Sequence, residues 1–184
     1  VAESLASRLR MRGGIWSEVG CVPEFGRELT ERKQNEEFER TGRMPLSVDW
    51  EAEDFEEVVA RQSALEEGMA ARGAPILVCD TDAFATPVWE RRYMGADRAN
   101  LDQAGLGIGD VYLLTDHVGV PFVQDGTRDG EDHRSQMTRW FAESLAAHAK
   151  PWAFLSGSLN SRLVLAERIA DQVMARKLAF VEPI

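Results

Sequence analysis

Apolar positions along the chain repeat with two alternating periods. Residues 2–12 place Ala2, Leu5, Ala6 and Leu9 on one helical face, with Arg8, Arg10 and Arg12 elsewhere. Gly13 and Gly14 end that segment, and the run from Ile15 to Val22 reads as a strand that Pro23 interrupts. Glu24 to about Arg40 is strongly charged and helical, and the following TGRMPLSVD is a loop. From Glu51 to Arg72 the residues Phe55, Val58, Val59, Gln62, Leu65 and Met69 recur at helical spacing. Pro75 to Cys79 is a continuous apolar run, as expected of a strand buried on both faces. A helix is predicted from about Phe84 to Met94, a strand from Asp110 to Leu114, and a helix around Met137, Trp140, Phe141 and Leu145. The strand Pro151–Leu155 and the helix Leu159–Lys177 close the chain. Residues 117–130, rich in glycine and charge, form a loop between the third strand and its helix.

Strands alternating with helices imply an α/β fold with a parallel sheet, read as one domain over residues 1–184. Ligands of such sheets bind at the carboxyl ends of the strands, so the chemistry is sought there. The second apolar strand ends in Asp80-Thr81-Asp82. An acidic residue closing a buried strand has the form of a Walker B element, whose carboxylate holds Mg²⁺ against a transferred phosphate. Equally, Asp80 or Asp82 can cap the helix that follows. The first strand ends in Pro23-Glu24-Phe25-Gly26-Arg27-Glu28. A carboxylate here can accept a proton from a substrate hydroxyl, with Arg27 orienting it or binding phosphate, or the acids simply favour a helix start. Asp125-Gly126-Thr127-Arg128-Asp129-Gly130 has the character of a lid, spanning about 117–134, or of a polar surface turn. Arg128 and Arg134 are its candidates for phosphate, and Asp125 and Asp82 candidates for substrate; Trp89 either joins Trp140 and Trp152 in the core or, close behind the acidic strand end, faces a substrate.

Composition narrows the classes. The chain of 184 residues is 44% hydrophobic and holds 31 acidic against 21 basic side chains, a net charge of -10. That balance argues against nonspecific nucleic-acid binding, and it fits phosphate chemistry only where the basic groups are concentrated at a site. No run approaches the roughly 18 apolar residues of a membrane span. Charges recur through VAESLASRLRMRGG, so it does not read as a signal peptide. Cys21 and Cys79 lie in apolar strand-like runs, suggesting buried thiols in a reducing cytoplasm rather than a disulfide. His117, His133 and His148 lack metal-ligand spacing. Ser156-Gly157-Ser158 is a strand-to-helix turn and not a G-x-S-x-G elbow.

Taken in order, PEFGRE, ILVCDTDAFATPVW, DVYLLTDHVGVPFVQDGTRDG and the last strand and helix resemble the kinase domain of NadR-type nicotinamide riboside kinases, an AAA-like ATP-binding domain. The resemblance implies a three-layer P-loop nucleoside-kinase fold. It also implies ATP and Mg²⁺ as cofactors, and phosphorylation of a nucleoside 5′-hydroxyl, nicotinamide riboside giving the mononucleotide. By position Asp80 serves Mg²⁺, Arg128 is the lid arginine, and Glu24, Arg27 and Glu28 face the nucleoside. Glu24 as base follows a further likeness to deoxynucleoside kinases. Two departures stand out. Pro23 occupies the position where NadR-type chains often carry an aromatic residue, and no G-x-x-x-x-G-K-[ST] phosphate loop occurs in the sequence. VAESLASRLR resembles the helix that follows that loop, so the first strand and the loop are expected upstream. A nucleotidyltransferase domain can precede them in this family. The same features leave two other readings: a nucleotide-binding regulator without phosphotransfer, and an AAA-like NTPase acting on a protein partner. The partners implied are small molecules, ATP and a nucleoside, with no nucleic acid and no membrane.

Overall fold

The computed structural model describes residues 1–45, 47–95, 109–123 and 130–179. Helix α1 spans Ala2–Arg10, and Gly14–Glu18 is a 3-10 turn; strand β1 follows at Gly20–Val22, then α2 at Phe25–Thr41 and α3 at Ala52–Ala70. Strand β2 is Leu77–Cys79, and a 3-10 turn at Ala83–Ala85 runs into α4, Thr86–Met94. Strand β3 is Tyr112–Thr115, α5 is Arg134–Ala147, β4 is Trp152–Leu155 and α6 is Leu159–Lys177.

The strand expected from Ile15 to Val22 is shorter than its apolar pattern. Gly13 and Gly14 have φ of +72° and +59°, which turns the chain back on itself. Trp16 N–H then donates to Gly13 and Val19 N–H to Trp16, leaving Ile15 53% exposed and only Gly20–Val22 in a ladder. Helix α3 begins where Asp54 accepts a 2.8 Å bond from the Glu51 backbone N–H, fixing the first turn. Helix α6 starts at Ser158, whose hydroxyl accepts from the Ser161 N–H at 3.1 Å.

The strands form two parallel pairs. β1 lies beside β2 with Gly20, Cys21 and Val22 opposite Leu77, Val78 and Cys79; β3 lies beside β4 with Tyr112 to Thr115 opposite Trp152 to Leu155. Among the described residues no ladder joins the pairs. Cys21 and Cys79 are one register step apart and so project to opposite faces. Burial pushes both thiols up, Cys79 to about 12, so both are protonated at neutral pH.

One apolar cluster serves both pairs. Leu5, Ala6 and Leu9 of α1 meet Val19, Leu155 and the α6 residues Leu163 and Ala166, and Cys21, Val78 and Leu113 pack against them. The helical face expected from residues 2–12 is the one buried. On its other side β1 approaches α3 so closely that a Cβ on Gly20 would collide with Met69 and Leu77, at 2.6 and 2.7 Å. Tyr112 and Leu114 pack instead on Phe84 and on Leu145 of α5. Arg162, only 3% exposed, ties the ends of the second pair together. Its guanidinium donates to the carbonyls of Asp116 and Val118 after β3 and of Gly157 after β4.

Leu9 is fully buried at the junction of α1 with both pairs. Leu9→Ala in the complete natural protein should cost about 2–5 kcal/mol, read as a lower denaturation midpoint at unchanged slope. A loss below about 1 kcal/mol would show that α1 is not a shared support.

Candidate functional site

The carboxyl ends of β1, β2 and β3 open onto one cavity of about 460 Å³. The chain leaves β1 through Pro23 and Glu24, and Glu24 is the residue just before the first turn of α2, with extended backbone. Its side chain and those of Arg27 and Thr30 line the cavity. Glu28 is exposed and does not line it. After β2 come Asp80, Thr81 and Asp82, then Ala85 of the 3-10 turn, and from α4 Thr86, Trp89, Arg92 and Tyr93. Thr115, at the end of β3, and Arg134, which begins α5, close the far side. The cavity thus gathers Glu24, Arg27, Asp80, Asp82, Trp89 and Arg134. Asp125 and Arg128 lie outside the described residues.

The two aspartates after β2 are differently employed. Asp80 continues the ladder, its N–H donating to Val22 at 3.0 Å, and its side chain is exposed on the cavity wall. Asp82 caps the 3-10 turn, accepting from Phe84 N–H at 3.1 Å, and accepts from the Tyr112 hydroxyl at 2.7 Å. Capping, one of the two roles open from the sequence, therefore belongs to Asp82. Burial raises its carboxyl above the ordinary range, opposed by the bonds from Tyr112 and Phe84. Burial likewise pushes the Tyr112 hydroxyl up, and the adjacent Asp82 reinforces this.

Beneath these segments lies a buried polar knot on α3. Gln62, 1% exposed, accepts from Phe25 N–H at 3.0 Å and donates to the Thr81 carbonyl at 3.0 Å and to Glu66 at 3.3 Å. Glu66 is 5% exposed, and burial raises its carboxyl, partly offset by the bond from Gln62.

One wall is aromatic. Trp50 stacks on Phe55 and on Tyr93, each at 5.2 Å between ring centroids, and Tyr93 stacks on Trp89 at 6.3 Å. The Arg92 guanidinium lies 4.8 Å from the Tyr93 ring centre and 5.7 Å from that of Trp89. Gly130 meets the same guanidinium. It has φ +82°, and a Cβ there would collide with Arg92, so both conformation and space call for glycine.

The wall residues Trp50, Tyr93 and Arg92 carried no separate signal in the sequence. Trp50 sits beyond a loop, and aromatic or arginine residues at helical spacing are as common in cores and on surfaces. Gln62 did carry one, as a polar side chain within the apolar stripe of α3.

Among the described residues, Glu24, Asp80 and Asp82 and the guanidiniums of Arg27, Arg92 and Arg134 line the cavity, so basic groups are gathered there in a chain with 31 acidic and 21 basic residues. A second cavity, about 640 Å³, runs from the start of α1 along the ends of β3 and β4. It shares Thr115, Val120, Pro121, Arg134 and Met137 with the first. Arg134 stands at the junction, held by bonds to the carbonyls of Val120 at 2.9 Å and His117 at 3.3 Å.

The chain matches the family model described as an AAA domain over residues 2–162 and belongs to that family. Such domains are P-loop nucleotide-binding domains that act with Mg²⁺. The short parallel strands and interleaved helices agree with that α/β class. No curated protein and no solved structure matches the chain. Among the described residues no helix is long and apolar enough to cross a membrane.

Glu66 gives a pH test of this buried knot. Its folded carboxyl holds a proton more tightly than the unfolded one, so stability falls as pH rises from its ordinary value of 4.5 through the raised one. Glu66→Gln removes the charge and keeps an acceptor for Gln62. Its melting temperature should exceed that of the wild type at about pH 7, and the gap should close by about pH 4. A gap independent of pH would contradict the buried-carboxylate assignment.

Proposed function

We propose that the protein is a P-loop kinase of nucleosides that transfers the γ-phosphoryl group of ATP to a 5′-hydroxyl, with nicotinamide riboside as the foremost substrate. The observation that carries the reading is the pair of adjoining cavities meeting at Arg134, one with carboxylates and an aromatic wall, the other at the start of α1. A bisubstrate reaction needs two such compartments with a shared boundary where the reacting atoms meet. The aromatic wall suits a planar base.

In this reading Glu24 accepts the proton of the 5′-hydroxyl as its oxygen attacks the γ-phosphorus and the bond to the departing ADP breaks. Arg27 orients that hydroxyl or its neighbours. Arg134, at the boundary, offsets charge on the group in transit, with Arg128 as the second candidate. The exposed Asp80 carboxylate is an oxygen donor of the type a hard cation takes, so it would hold Mg²⁺. The metal, when bound, supplies neutralisation of phosphate charge. The three-layer arrangement, the one-domain organisation and a cytoplasmic setting belong to the same proposal.

The test is ATP-dependent 5′-phosphorylation by the complete natural protein across a nucleoside panel, with nicotinamide riboside included. No product with any member sinks the proposal, and ATP binding without turnover would favour a regulatory role. Asp80→Asn should lower kcat by about 100-fold or more while melting temperature stays near wild type. Unchanged turnover would remove Asp80 from the metal role.

A further inference from the structure

We propose that Gln62 is a positioning residue that fixes the strand end bearing Glu24 against the strand end bearing Asp80. The last backbone bond between β1 and β2 is Asp80 N–H to the Val22 carbonyl. Beyond it the two chains part, one into α2 and the other into the 3-10 turn. The Gln62 side chain, rising from α3, spans that divergence.

Its oxygen accepts from Phe25 N–H, one residue past Glu24, and its nitrogen donates to the carbonyl of Thr81, between Asp80 and Asp82. Phe25 N–H belongs to the first turn of α2, whose amides have no intrahelical acceptor, and Gln62 supplies one. The second amide proton is taken by Glu66, so both ends of the side chain are held. A carboxamide alone offers an acceptor and two donors at this fixed separation, and glutamine has the reach. At 1% exposure water does not substitute for it. Gln62 does not line the cavity, so it acts only through the segments it joins.

The catalytic consequence rests on the kinase reading, in which Glu24 and Asp80 serve opposite sides of one transfer; the clamp itself does not. In Gln62→Met, which keeps length and burial, kcat should fall about 10- to 100-fold with KM for ATP little changed. The Phe25 amide should exchange with solvent faster in this variant, while amides in the middle of α2 keep their rates. Gln62→Glu keeps an oxygen for Phe25 and loses the donor to Thr81, so Phe25 should stay protected while kcat still falls. This second variant carries the test if the methionine form does not fold. A folded Gln62→Met with wild-type kcat and wild-type Phe25 exchange would overturn the proposal. If the wild type phosphorylates no nucleoside, the kinase reading fails, and the clamp stands or falls on Phe25 exchange alone.

Discussion

The structure depends on the apolar cluster under α1 and α6. Both strand pairs, β1 with β2 and β3 with β4, rest on it. Leu5 and Leu9 share that cluster with the second pair's Leu155, and the first pair's Cys21 and Val78 and the second pair's Leu113 pack against it. Apolar burial is non-directional and sets proximity rather than register. Within each pair the ladder sets register, and one buried polar side chain ties the chain segments beyond the strand ends. Arg162 does this for β3 and β4, and Gln62 for β1 and β2. Both are almost wholly buried, where a hydrogen bond is least exposed to competition from water.

That division of labour places the site. Side chains at the carboxyl ends of three strands converge because the strands run in parallel. The acids then separate by environment. Asp82 is engaged by Tyr112 and Phe84 and made less acidic by burial, a structural carboxylate at the cavity edge. Asp80, two residues earlier, is exposed on the same wall and suited to a cation. Two neighbouring aspartates thus sit in two environments, decided by which one the 3-10 turn captures.

The helices were the most legible part of the sequence. The buried face of α1 and the span of α6 follow directly from apolar spacing, because a helical face is written in a dozen residues. The first strand was less so, since hydrophobicity at Ile15 and Trp16 cannot show that a preceding Gly-Gly turn removes them from the ladder. Of the site, the acidic strand ends and Arg27 were visible because strand termini are short and punctuated. The aromatic wall was not, because Trp50, Phe55, Trp89 and Tyr93 come from separate segments that only tertiary packing unites. The division of Asp80 from Asp82 was likewise invisible, since it turns on a hydroxyl thirty residues away in sequence.

Pro23 marks the point where this chain departs from the NadR-type pattern, and the structure gives that departure a physical setting. Proline there is exposed before α2 and offers no aromatic ring to a ligand. Aromatic surface in the cavity comes instead from the stack of Trp50, Tyr93 and Trp89. These rings stack on one another, and the Arg92 guanidinium lies over Tyr93 and Trp89. The carboxylates of Glu24, Asp80 and Asp82 line the same cavity, so aromatic, cationic and anionic groups share one enclosure.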